Sequence, residues 1–348
     1  MSGPGAMSAP ITEHVLRTAR HETFYLSCGP ADGVPIIFVH GWPELSISWR
    51  HQLACFGALG FRAIAPDMRG YGRSSVYREH ADYALEHCVA DMVELLDSLG
   101  AEAAVWVGHD LGAPVVWGLA SQHAQRCLGA AALCVPYIPK GMAWQNLIEL
   151  IDREVYPADA FPVGPWDYQL HYEEHFESAC AELGANARNT VKALFRRGDP
   201  AAVTKPSPTA ALRRRGGWFG KAGQAPDVPL DKAVMGEDEL VQYADALARN
   251  GFFGPNAWYM NGQRNMDYAT RAANGGRLAM PVLFFHAQYD PICETLRSPL
   301  AGPMRAHCDR LSEITVACGH WMAQEQPERV NAGLARWLAQ QWPERWRV

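Results

Sequence analysis

Three residues of this sequence join reactive side chains to telling positions: Asp110, Asp290 and His320. Asp110 lies in "AAVWVGHDLGAPVVWGLA", where an apolar, β-branched run reaches Gly108-His109-Asp110-Leu111-Gly112 and then continues in helix-compatible residues. Small residues two positions either side of a reactive side chain suit a sharp strand-to-helix turn that lifts that side chain out of a sheet. Glycine at Gly108 and Gly112 lets the chain turn there without a Cβ clash. A carboxylate at the apex is already an anion at neutral pH and needs no base in order to attack. Toward an acyl carbon it is a poor nucleophile, because the adduct falls back. At a saturated carbon it displaces a leaving group and becomes an alkyl ester of the protein itself.

The remaining groups suit the second half of such a cycle. Asp290 follows "VLFFHAQY" and His320 follows "EITVACG", so both stand at the ends of strand-like runs. The chain order nucleophile, acid, base assigns His320 the role of base and Asp290 that of holding its tautomer. Water activated by His320 would attack the carboxyl carbon of the ester. A fourth strand end carries His40-Gly41-Trp42-Pro43. A turn there aims the Trp42 N–H at the same point as the Leu111 N–H, giving two donors for the oxyanion of that step. The Trp42-Pro43 bond is a candidate for the cis form, which X-Pro bonds alone tolerate cheaply. Two leaving groups compete. Halide departs as a finished anion and calls for N–H donors such as indoles. An epoxide oxygen departs as a basic alkoxide and calls for a proton, which a phenol of pKa about 10 can give.

These strand ends require a sheet. "PIIFVH", "FRAIAPD", "AAVWVGH" and "LGAAALCV" read as short buried strands, and "EHCVADMVELLDSLG" as a helix with Val89, Met92, Val93, Leu96 and Leu99 on one stripe. Alternation of this kind implies an α/β fold with a mainly parallel sheet covered by helices on both faces. Two alternating segments in "HVLRTARHETFYLSCG" suggest an antiparallel opening. The rhythm breaks near Tyr137, where Trp, Tyr, Pro and Gly become frequent, and resumes with "MPVLFFHAQYD", "SEITVACGH" and the amphipathic "QPERVNAGLARWLAQ". The expected organisation is a flexible N-terminus over 1–10, a first part of the core over 11–136, a mostly helical lid inserted over 137–276, and a second part of the core over 277–348.

Bulk properties narrow the function classes. A formal net charge of −6 offers no electrostatic case for nucleic acid or an anionic membrane. Arg213-Arg214-Arg215 reads as a local, solvated loop. The nine cysteines include no CxxC pair, and Cys134 and Cys318 fall in apolar runs, as reduced core thiols do. No apolar run reaches membrane-spanning length, and the opening "MSGPGAMSAP" lacks a signal core, so a cytoplasmic location without membrane insertion is expected. "HYEEH", from His171 to His175, fits a helical metal pattern but has no evident third ligand; neither metal nor cofactor is expected. A homodimer stays open.

The shared stretches "HGWPELSISWR", "APDMRGYGRSS", "VGHDLG", "WDYQLHYEEHF", "GFFGPNAWYMN" and "ACGHWMAQEQPERV" resemble the epoxide hydrolases of the α/β-hydrolase fold over nearly the whole chain. The resemblance implies conversion of a small hydrophobic epoxide and water to a vicinal diol through an alkyl-Asp110 ester. It aligns Asp110, Asp290 and His320 with nucleophile, acid and base, and Trp42 and Leu111 with the oxyanion donors. It also selects Tyr168 and Tyr259 as the phenols that protonate the epoxide oxygen; the residues alone leave Tyr156, Tyr172 and Tyr268 as equal candidates. His40, Gly41, Pro43, Gly108, His109 and Gly112 are the supporting motif residues. The chain departs from many relatives at Leu111, where those have tryptophan. The alternatives are a haloalkane dehalogenase with the same nucleophile and a hydrolase-fold binding protein without activity.

Overall fold

The computed structural model describes residues 10–346. The flexible segment expected over 1–10 therefore lies, apart from Pro10, outside the described residues. Eight strands form one sheet in the order β1-β2-β4-β3-β5-β6-β7-β8. They are β1 (Thr12–Arg17), β2 (Glu22–Cys28), β3 (Pro35–Val39), β4 (Arg62–Pro66), β5 (Ala104–His109), β6 (Cys127–Leu133), β7 (Leu278–Ala287) and β8 (Cys308–Val316). β1 pairs antiparallel with β2, and β2 with β4; the other pairings are parallel. The antiparallel opening and the parallel body thus follow the sequence reading.

Burial explains why each run folds as it does. Every residue of β3 and of β5 is buried, because helices cover both faces of the central strands. β1, at the edge, is almost wholly exposed and carries polar residues to match. Helices α1 (Arg50–Ala58), α2 (Leu85–Ser98) and α3 (Gly112–Gln122) connect the first parallel strands. α2 buries Cys88, Val89, Met92, Leu95 and Leu96, a stripe one residue turned from the expected one: Val93 and Leu99 are only half-buried.

Between β6 and β7, which pair directly, lie α4 (Asp167–Gly184), α5 (Ala187–Leu194), α6 (Glu237–Asn250), α7 (Phe253–Ala257), a further helix over Gly262–Ala269 and several shorter helical turns. α8 (Pro327–Gln341) follows β8 and closes the fold. Buried apolar residues of the sheet and of the intervening helices form one continuous cluster, so those helices are packed onto the core. Among the described residues, no helix is long and apolar enough to cross a membrane. Cys134 and Cys318 carry free thiols and are fully buried, though both lie just past their strands rather than within them.

Candidate active site

The site grows from the turn between β5 and α3. Asp110 follows the last residue of β5 and has a φ of 49°, a left-handed conformation unusual for a residue with a side chain. The turn closes only because its flanks are glycines. A Cβ on Gly112 would run into the Val39 carbonyl, and one on Gly108 would lie 2.7 Å from the Ala113 Cα. β3 ends beside it, and a Cβ on Gly41 would lie 2.5 Å from the Asp110 Cβ. This close approach brings the Trp42 N–H to the carboxylate, to which it donates at Oδ1 over 2.7 Å. The Trp42-Pro43 bond is cis. Leu111 caps α3 at the same turn.

The other carboxylate oxygen of Asp110 lies 3.4 Å from His320 Nε2. His320 stands past the end of β8, and its Nδ1 meets Asp290 Oδ2 at 2.6 Å. Asp290 is fully buried in the turn after β7, where its second oxygen accepts the N–H groups of Ile292 and Cys293. Burial would raise the Asp290 carboxyl, but His320 and those amides hold it below its usual range. Burial also disfavours a charged His320, yet Asp290 and Asp110 on its two nitrogens raise its pKa well above the ordinary value. Both neighbours therefore favour the protonated form of His320.

Opposite Asp110, a cavity of about 510 Å³ is walled mainly by apolar side chains, and Trp42, Leu111, Tyr168, Tyr259 and His320 all face it. Tyr168 comes from the first turn of α4, and Tyr259 from the helical turn after α7. Their rings meet edge to face with centroids 5.3 Å apart. Burial, with the negative charge of Asp110 nearby, pushes both phenols up, so both hold their protons at neutral pH. The structure brings together every residue that the sequence reading assigned to the chemistry.

The α/β-hydrolase fold family model matches residues 34–327. Epoxide hydrolase A of Mycobacterium tuberculosis is 33% identical over 338 residues, covering 94% of this chain and 97% of the relative. The chain belongs to the epoxide hydrolases. The bifunctional epoxide hydrolase 2 of Sus scrofa is 32% identical over 308 residues; they cover 88% of this chain but 51% of that longer protein. Among solved structures, epoxide hydrolase A of Mycobacterium thermoresistibile superposes with a TM-score of 0.77 at 29% identity, covering 94% of this chain and 98% of that one.

Within this family member the structure adds groups that the sequence reading passed over. Glu44 is fully buried and accepts from His109 Nδ1 at 2.6 Å and from the Gly41 N–H at 3.0 Å. His109 Nε2 in turn donates to the His320 carbonyl over 2.7 Å. One buried ion pair thus ties the Trp42 loop to the backbone of His320. Burial opposes both charges, but each answers the other: the Glu44 carboxyl falls to about 2 and the His109 imidazole rises to about 10. The signal available in the sequence was an acid in "HGWPE", two residues past the oxyanion turn. His40 plays a different part. It is buried, its pKa lowered by that burial, and as a neutral ring it accepts from the Met68 N–H and donates to the Gly41 carbonyl.

One local reading changes in part. Arg214 and Arg215 are exposed as expected, but they sit on a helical turn rather than a loop, and Arg213 is half-buried, pairing with Asp167 at 2.7 Å and Glu174 at 2.9 Å on the first half of α4. The helix carrying "HYEEH" breaks its regular geometry at His175, with His171 buried and His175 exposed. Among the described residues, the group of three possible ligand atoms lies elsewhere, at His109, Cys134 and His320.

Proposed function

We propose that this chain hydrolyses an epoxide to a vicinal diol through an ester formed on Asp110. Asp110 attacks a ring carbon; the C–O bond breaks, and the oxygen takes a proton from Tyr168 or Tyr259. A His320 whose protonated form the two carboxylates favour suits this first step, because no base is needed. Esterification then removes the negative charge of Asp110, one of the two carboxylates that raise the pKa of His320. His320 passes its proton to the phenolate left by ring opening and, as a neutral ring, accepts one from water. That water attacks the Asp110 carboxyl carbon, with the oxyanion on the Trp42 and Leu111 amides, and the diol leaves. Asp290 keeps His320 oriented. Residues 137–276 act as a lid that supplies both phenols, and every group named comes from a single chain. The free, buried thiols of Cys88, Cys134 and Cys318 suit a reducing, cytoplasmic setting.

The observation that carries this reading is two protonated phenols facing a carboxylate whose opposite oxygens meet the Trp42 N–H and His320. It also separates the reading from dehalogenation. The Trp42 indole donates to Asn256 Oδ1 over 3.0 Å, and Leu111 has no indole to offer. Trp218, also on the cavity wall, keeps its Nε1 buried, so neither it nor Trp42 turns a free indole N–H toward a halide. The cavity's apolar walls fit a hydrophobic epoxide. The double variant Tyr168→Phe with Tyr259→Phe tests the reading. It should lose diol formation by at least about a hundredfold while keeping its circular-dichroism melting curve; diol formation at the unmodified rate would overturn the assignment of the two phenols.

A further inference from the structure

Behind the two cavity phenols stands a third, whose O–H has no acceptor. Tyr172 lies one turn after Tyr168 on α4, which places both on the same helix face. Its ring stacks on that of Tyr259 at 5.2 Å and 27°, and meets that of Tyr168 edge to face at 6.1 Å. It is fully buried; the Trp218 indole packs 6.3 Å from its ring and offers its N–H to the Tyr172 oxygen, but among the described residues the O–H itself finds no acceptor. An unmet buried hydroxyl costs about 1–3 kcal/mol, so one at a reaction centre calls for a state in which it is met. Epoxide opening supplies such a state. When Tyr168 or Tyr259 passes its proton to the departing oxygen, a phenolate is left in a site that burial makes hostile to it.

We propose that Tyr172 is a positioning residue for the proton donors: its O–H turns to the phenolate formed in the Tyr168–Tyr259 pair, while the Trp218 N–H donates to the Tyr172 oxygen. Tyr172 keeps its own proton throughout. The proton lost to the alkoxide returns to the phenol pair from His320, which takes one in turn from the water whose hydroxide part ends on the Asp110 carboxyl carbon, so the cycle balances. A charge-assisted bond of this kind strengthens as the phenolate forms and is absent beforehand, so it lowers the barrier of the first step alone.

The inference rests on the epoxide-opening reading, and single-turnover rapid quench with styrene oxide separates the two. Mass analysis follows formation and decay of the alkyl-enzyme in the unmodified protein, Tyr172→Phe and Trp218→Phe. Tyr172→Phe should slow ester formation about tenfold or more, with ester decay within about twofold of the unmodified rate. Trp218→Phe should slow the same step less, and it carries the test if Tyr172→Phe does not fold. Equal slowing of both steps, or no slowing of formation, would overturn the role of Tyr172. Failure of the unmodified protein to form any alkyl-enzyme would overturn the reading beneath it.

Discussion

At the residue scale the site turns on how one charge controls another. Two carboxylates flank His320 and raise its pKa well above the ordinary value, and in the proposed cycle only one of them, Asp110, is esterified. Asp110→Asn should therefore lower the His320 pKa relative to the unmodified protein, a shift that NMR titration of the ring nitrogens reads directly. An unchanged pKa would show that Asp290 alone sets it. The neighbouring Glu44–His109 pair makes a second prediction. The Glu44 carboxyl falls from 4.5 to about 2 on folding, and the His109 imidazole rises from 6.5 to about 10. A lowered acid stabilises above its unfolded pKa, and a raised base stabilises fully below its own. The pair therefore contributes most between about pH 4.5 and 6.5 and progressively less as pH climbs toward 10. Glu44→Gln should cost about 3 kcal/mol or more in urea unfolding at pH 5.5, and clearly less at pH 9.5. A penalty that does not vary with pH would contradict the ion pair.

At the element scale, the strand-turn-helix at β5 and α3 depends on backbone contact that leaves no room for a side chain. Gly112→Ala should drive a methyl into the Val39 carbonyl, destabilise by about 1–3 kcal/mol and displace Asp110 from the Trp42 amide. A variant with full activity and stability would show that the turn has slack. This element was legible because glycine spacing and β-branched runs are local signals. Other features were not. β8 begins at Cys308, earlier than "EITV" suggests, because its first residues are held by pairing to β7 while Asp309 and Arg310 are exposed. The stripe of α2 shifted because Leu95 is fully buried while Val93 is not, which depends on how the helix is rolled onto its neighbours. Arg213 finds its partners 39 and 46 residues back along the chain, a distance across which no periodicity reaches.

At the scale of the whole molecule, the chemistry is shared between two packed parts of one chain. Carboxylates and imidazole stand at strand ends; the phenols come from helices inserted between β6 and β7. Trp42 links the two, since its amide holds Asp110 while its indole reaches Asn256 at the end of α7, and Asn256 in turn donates to the Cys180 sulfur on α4. Asn256→Ala leaves the indole N–H buried without an acceptor and should lower stability by about 1–3 kcal/mol, with a larger loss of kcat than of binding. An unaltered kcat would mean that the two parts register without this tether. Sequence reading reached the strand ends because order and motif suffice there. For the phenols it needed the family resemblance, since the segment between β6 and β7 offers several tyrosines and Tyr137 and Tyr268 line the cavity beside Tyr168 and Tyr259.

The most direct test of the account is the intact mass and peptide map of His320→Gln after incubation with styrene oxide. The variant retains the nucleophile and the phenols but lacks the base that clears the ester. The account predicts a mass gain equal to the whole epoxide, located on Asp110. An adduct on another residue, or no adduct while the unmodified protein still produces diol, would contradict an ester on Asp110.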